Sequence, residues 1–135
     1  MIIVDTNIIA YLYLPTDYTT FVEELLVKEP IWTAPYLWRS ELRNVLALYI
    51  RKELITFGQA IQIQNEAESL MAENEFKVSS IDVLTLVNES SCSAYDCEFV
   101  ALAQNLKAAL ITTDKKILSE FPLIAKSLQV FLKES

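Results

Sequence analysis

The chain has 135 residues, 53% of them apolar, and its 18 acids against 11 bases give a formal net charge of −7. It contains no histidine, one glycine and two cysteines. Those counts exclude histidine-dependent nucleophiles and bases, ordinary zinc sites, a disulfide framework, and the glycine-rich loops of Walker and dinucleotide sites.

Taken in chain order, apolar runs of strand length alternate with helical periodicity, the pattern of a parallel sheet covered by helices. Strands are expected near residues 1–5, 31–34, 76–79, 108–112 and 128–132. Helices are expected near 7–13, 17–28, 35–52, 56–74, 81–90, 94–107 and 114–120. The first and fourth strands are continuous apolar runs, as central strands buried on both faces require. Pro35 suits the first turn of the third helix, where its missing amide hydrogen is not needed. The length fits one domain, 1–135, with about five parallel strands. Asp5 interrupts the N-terminal apolar run and no basic region precedes it, so neither a signal peptide nor a membrane span is expected, and the protein is placed in the cytoplasm. Cys92 and Cys97 read as small, mostly buried side chains.

Four acids fall where such folds build sites. Asp5 closes the first strand, and Asp114 follows Ala109-Leu-Ile-Thr-Thr113. Ligands bind beyond the carboxyl ends of the strands in open sheets of this class, where helix N-termini also gather. Each aspartate could equally be a helix N-cap, and the two roles can coexist. Glu41 shares a helix face with Leu37, Trp38, Val45 and Leu48, and burying its charge unpartnered would cost several kcal/mol. Arg39 and Arg43 lie on the other side of that helix, so Glu41 is either a site residue or a surface glutamate at the edge of the stripe. Asp96 shares a face with Cys92, Phe99, Val100 and Ala103, but Ser93-Ala-Tyr-Asp96 also resembles a capping box. Glu98 points elsewhere and reads as solvated, and Asp82 reads as complementing a helix dipole. Acids gathered this way, without other versatile side chains, point to a hard divalent cation held by oxygens. Setting these four aside leaves 14 acids against 11 bases, so much of the negative charge is one site awaiting metal.

The motifs Ile2-Ile-Val-Asp5-Thr-Asn7, Trp38-Arg-Ser-Glu41-Leu-Arg-Asn-Val45, Ala94-Tyr-Asp96-Cys-Glu-Phe-Val-Ala-Leu-Ala103 and Leu110-Ile-Thr-Thr-Asp114 together resemble PIN-domain ribonucleases, above all the VapC-type toxins of bacterial toxin–antitoxin pairs. The resemblance spans essentially the whole chain. It implies a three-layer α/β/α domain and a metal-dependent ribonuclease toxin. It matches Asp5, Glu41, Asp96 and Asp114 to the family's acidic quartet for Mg²⁺ or Mn²⁺. Asn7 and Thr112 match its supporting polar positions. RNA, a cognate antitoxin and a second copy of the chain are the implied partners. After Asp114, where some relatives carry another acid, this chain has Lys115, Lys116 and Ile117.

The chemistry is compatible with the inventory, because metal-assisted phosphodiester hydrolysis needs carboxylates and no histidine. Asp5 and Asp96 are assigned as principal ligands, Asp114 as a ligand through water, and Glu41 as ligand or water-orienting base; the last two roles are interchangeable. Tyr11, Tyr13, Tyr36 and Trp38 could stack on unpaired bases, although helical spacing favours packing for Trp38, and Lys115 and Lys116 are phosphate candidates. A haloacid-dehalogenase-like phosphatase would need a second aspartate where Asn7 stands. A receiver domain would need paired acids after the first strand. A catalytically silent PIN-like binding module is the serious alternative.

Overall fold

The computed structural model describes residues 1–134. Its sheet contains β1 (Ile2–Val4), β2 (Trp32–Pro35), β3 (Glu75–Phe76), β4 (Leu110–Thr112) and β5 (Ala125–Ser127), all parallel and ordered β3-β2-β1-β4-β5. Chain order runs outward from β1 in both directions, so the direction of winding reverses between β1 and β4. That reversal opens a crevice at the carboxyl ends of these two strands. Every residue of β1 and β4 is buried, because helices cover both faces. The register pairs Ile3 with Leu110 and Val4 with Ile111, and thereby sets Asp5 beside the end of β4.

Helices α1 (Thr6–Tyr13), α2 (Thr19–Lys28), α3 (Leu37–Arg51), α4 (Phe57–Met71), α5 (Ser80–Asn88), α6 (Ala94–Leu106), α7 (Lys115–Glu120) and α8 (Leu128–Lys133) complete the α/β/α layers. The α6 helix lies across β1, β2 and β4 and pairs with α5. Its buried stripe, Cys97 and Phe99 through Ala103, supplies much of the core. Elsewhere α1 packs on α2 and α3, and α3 on α4. None of these helices is long and apolar enough to cross a membrane.

Three expectations are corrected. The apolar run at 128–132 is α8, not a strand. Ser127 caps it by accepting from the Val130 amide at 3.2 Å, and Lys28 donates to the carbonyls of Phe131 and Glu134 at its other end. The fifth strand is the preceding Ala125–Ser127, whose pairing with β4 comes from backbone rather than from any apolar run. Pro35 ends β2 instead of starting α3, and Tyr36 precedes the helix. The third strand sits one residue early and is only two residues long. Its Glu75 is pinned from α3 by Arg39 Nε at 2.6 Å and Trp38 Nε1 at 2.8 Å.

Candidate active site

Asp5 emerges from β1 directly into α1 and caps that helix, Oδ1 accepting from the Ile8 amide at 3.1 Å. Its Oδ2 accepts from the Thr112 hydroxyl, and Thr112 Oγ1 in turn accepts from the Asp114 amide at 2.9 Å. A hydroxyl buried at the end of β4 thus ties the first acid to the last across the reversal point. Asp114 caps α7 through one oxygen, accepting from the amides of Lys116 at 2.9 Å and Ile117 at 3.0 Å. Both aspartates are therefore caps in geometry, and both line the crevice as well.

Glu41 reaches the crevice from the first turns of α3. Its Oε1 accepts from the Thr6 hydroxyl at 2.6 Å, a contact with no sequence signal beyond a hydroxyl beside Asp5. The stripe that carries Glu41 divides: Trp38 is fully buried, Leu37 and Val45 wall the crevice, and Leu48 is exposed. Arg39 turns away to Glu75 and Glu68, as its angular position requires. Asp96 stands in the first turn of α6. The cap there is Ser93, whose hydroxyl accepts from the Asp96 amide at 3.0 Å, and the Asp96 carboxylate makes no return bond, so no capping box forms. Cys92 and Cys97, both buried, occupy the positions before this cap and four after it, where apolar side chains staple a helix start. Asp82 sits in the first turn of α5 and accepts from Asn105 at 3.4 Å, in keeping with a dipole role.

Together Asp5, Glu41, Asp96 and Asp114 line one cleft of about 370 Å³, with Asn7, Ser40, Asn44 and Tyr95 also on its walls. Burial raises Asp5 to about 6, with Asp114 and Glu41 adding to the rise against the pull of Thr112 and Ile8. Burial also raises Glu41, with the charges of Asp96 and Glu98 adding, and it raises Asp96, with Asp114 adding. The acids thus feel one another, and a dication among them would relieve that repulsion. An all-oxygen donor set suits Mg²⁺ or Mn²⁺. Among the described residues, no three acids already stand as one ligand group.

Sequence reasoning missed Thr6, Ser40, Asn44 and Tyr95. Ser40 and Asn44 lie within one turn of Glu41, a spacing that could have drawn attention to them. Glu98 is corrected from solvated to half-buried, and its carboxyl is raised by that burial. None of the four aromatic candidates lines the cleft, and Trp38 packs as its helical spacing favours. Tyr11 stacks on Tyr18 with centroids 4.7 Å apart, Trp38 is core, and the aromatic side chain exposed within the cleft is Tyr95. Lys115 and Lys116 are exposed, and the charge of Lys116 pulls against the rise at Asp96.

A parallel sheet with acids converging at its winding reversal defines a PIN-like class of α/β domain. The PIN domain model matches residues 2–122, and the chain belongs to that family. It is 26% identical over 136 residues to the Ribonuclease VapC3 of Pyrobaculum aerophilum, covering 91% of this chain and 96% of that protein. The crystal structure of PAE2754 from Pyrobaculum aerophilum superposes with a TM-score of 0.75 at 18% identity, over 96% of this chain and 92% of the other. A toxin–antitoxin complex from Klebsiella pneumoniae gives 0.71 at 19% identity, over 95% and 98%.

Proposed function

We propose that this protein is a divalent-metal-dependent endoribonuclease and the toxin of a toxin–antitoxin pair. The observation that carries the reading is the convergence of four acids, from the ends of β1 and β4 and from α3 and α6, on one cleft. Membership of the PIN family, the ribonuclease name of the Pyrobaculum relative and the toxin–antitoxin title of the Klebsiella neighbour support it.

Asp5, Asp96 and Asp114 would hold the ion, with Glu41 as a further ligand or as the base. Bound Mg²⁺ or Mn²⁺ supplies Lewis-acid polarisation of the phosphoryl group and a more acidic water. Thr112 fixes Asp5 and Asp114 relative to each other, and Thr6 fixes Glu41 through one oxygen, leaving Oε2 to accept the proton of the attacking water. Water adds to phosphorus, the bond to the 3′ oxygen breaks, and a proton goes to that oxygen. The products are a 5′-phosphate and a 3′-hydroxyl. An antitoxin arginine pairing with these carboxylates would close the site. The protein would work as a homodimer in the cytoplasm.

The purified protein should cut single-stranded or looped RNA in Mg²⁺ or Mn²⁺ and not in chelator, leaving those ends. Asp96→Asn should abolish cleavage. Cyclic phosphate ends would contradict the mechanism, and a variant that cuts at the wild-type rate would contradict the site. Binding of RNA without cleavage would favour a silent module.

A further inference from the structure

The cleft is poorly furnished for holding a phosphate backbone. The chain carries −7 overall and four acids line the cleft, while among the described residues just outside its lining stand only Arg43, which donates to the Ser40 hydroxyl at 3.1 Å, and Lys115 and Lys116, the latter's charge acting on Asp96. Proteins that hold nucleic acid by its phosphates neutralise several of them with Lys or Arg, and their affinity then falls steeply with salt. This cleft offers apolar wall instead: Leu37 and Val45 from α3, Phe99 from α6 and Ile117 from α7. Tyr95 stands one helical turn before Phe99 on α6, so the two share a face, Phe99 buried and Tyr95 exposed at 63%. Its hydroxyl makes no hydrogen bond among the described residues, and its ring is not among the side chains packed on the core.

Resting on the ribonuclease reading of the same cleft, we propose that the substrate is held through an unpaired base stacked on Tyr95, with Asn44 placed to read its edge, rather than through phosphate contacts. An exposed ring beside Asp96 puts a nucleobase next to the phosphate that water would attack among the acids. Base–aromatic stacking tolerates any base, because every base has a π face. Asn44, exposed on the α3 wall, brings a paired donor and acceptor to the same space. The substrate class is RNA whose bases are free of a helix, since a stacked and paired base cannot reach the ring.

The test compares wild type, Tyr95→Ala and Tyr95→Phe on a short unstructured RNA in Mg²⁺. Tyr95→Ala should raise KM by on the order of tenfold, with a smaller effect on kcat, and Tyr95→Phe should recover most of the loss because it keeps the ring. A second arm needs no turnover: RNA carrying 2-aminopurine is mixed with the Asp114→Asn protein, where stacking quenches its fluorescence. Adding Tyr95→Ala should abolish the quenching. The logarithm of affinity against that of salt should have a slope of about −1 to −2, not the roughly −4 or steeper expected of six or more phosphate contacts to a single strand. An unchanged KM, a loss confined to kcat, persistent quenching without the ring, or a steep salt slope would each overturn the proposal. Absence of cleavage by wild type with quenching intact would overturn the nuclease reading and leave the stacking site standing.

Discussion

Asp5 accepts hydrogen bonds through both oxygens and still titrates near 6, against 3.8 for an ordinary aspartate, because burial outweighs the two donors. The folded protein therefore binds this proton more tightly than the unfolded chain does. The resulting stabilisation is complete below pH about 4 and is lost as pH rises through about 6, a difference of at most roughly 3 kcal/mol. Glu75 opposes it: the hydrogen bond from Arg39 holds that carboxyl low, so its contribution is present at higher pH and is lost on acidification. We expect urea melts of the metal-free protein to show a falling component between pH 4 and 6 that Asp5→Asn removes; an unchanged profile in the variant would mean that Asp5 is ionised there without cost. Asp96 is raised by burial and by Asp114, yet its helix is capped by Ser93, so Asp96→Asn removes a strained charge and no cap. Asp114 is itself the cap of α7, a role asparagine fills about as well. In chelator, Asp96→Asn and Asp114→Asn should therefore both melt above wild type. Millimolar Mn²⁺ should reverse the order by binding the folded wild type preferentially. If both variants melt below wild type in chelator, the acids are not in conflict with one another.

The elements legible in the sequence were those whose side chains carry the pattern. Ile2-Ile-Val4 and Leu110-Ile-Thr112 are apolar throughout because both faces are covered, and each leads to an aspartate that caps the next helix. The β5 strand was hidden because it exists through backbone pairing to β4, and Ala-Lys-Ser has no apolar signature. Leu128–Lys133 looked like a strand because its apolar residues are dense, and only the Ser127 cap marks it as a helix. The four acids of the site were legible from strand ends and helix faces, whereas Thr6 and Tyr95 join them through folding, and Asn44 had only its one-turn spacing from Glu41 to mark it. Turn chemistry yields a further prediction. The single glycine sits at the second position of α4, where an added Cβ would meet nothing closer than Thr56 Oγ1 at 3.9 Å, while Lys107 closes α6 at a φ of 53°. Glycine is thus spent where alanine fits and absent where the left-handed conformation costs about 1 kcal/mol. Gly58→Ala and Lys107→Gly should each raise stability by roughly 0.5–1 kcal/mol in denaturant melts. A loss in either would show that its backbone is not where the energy lies.

At the scale of the molecule, the distribution of apolar surface bears on assembly. Much of the 53% apolar composition goes into the core, yet α4 and α5 each expose a close pair of large apolar side chains. On α4, Phe57 is 71% and Ile61 47% exposed, and the pair lies one turn apart beside Leu54 at 63%. On α5, Ile81 is 80% and Leu84 59% exposed, three residues apart on one face. Paired exposure of this kind, unlike apolar residues scattered singly, marks surface that a partner covers. A second copy of the chain is an economical partner, since a two-fold axis buries the same patch twice. We therefore expect light scattering to report a dimer at micromolar concentration. Phe57→Lys with Ile61→Lys, or Ile81→Lys with Leu84→Lys, should convert it to monomer, and whichever pair does so identifies the buried face. Both pairs lie away from the acids, so the monomer should keep the Mn²⁺-dependent rise in melting temperature. A wild type that scatters as a monomer across that range would remove the homodimer. A dimer that survives both pairs would place its interface on some other surface.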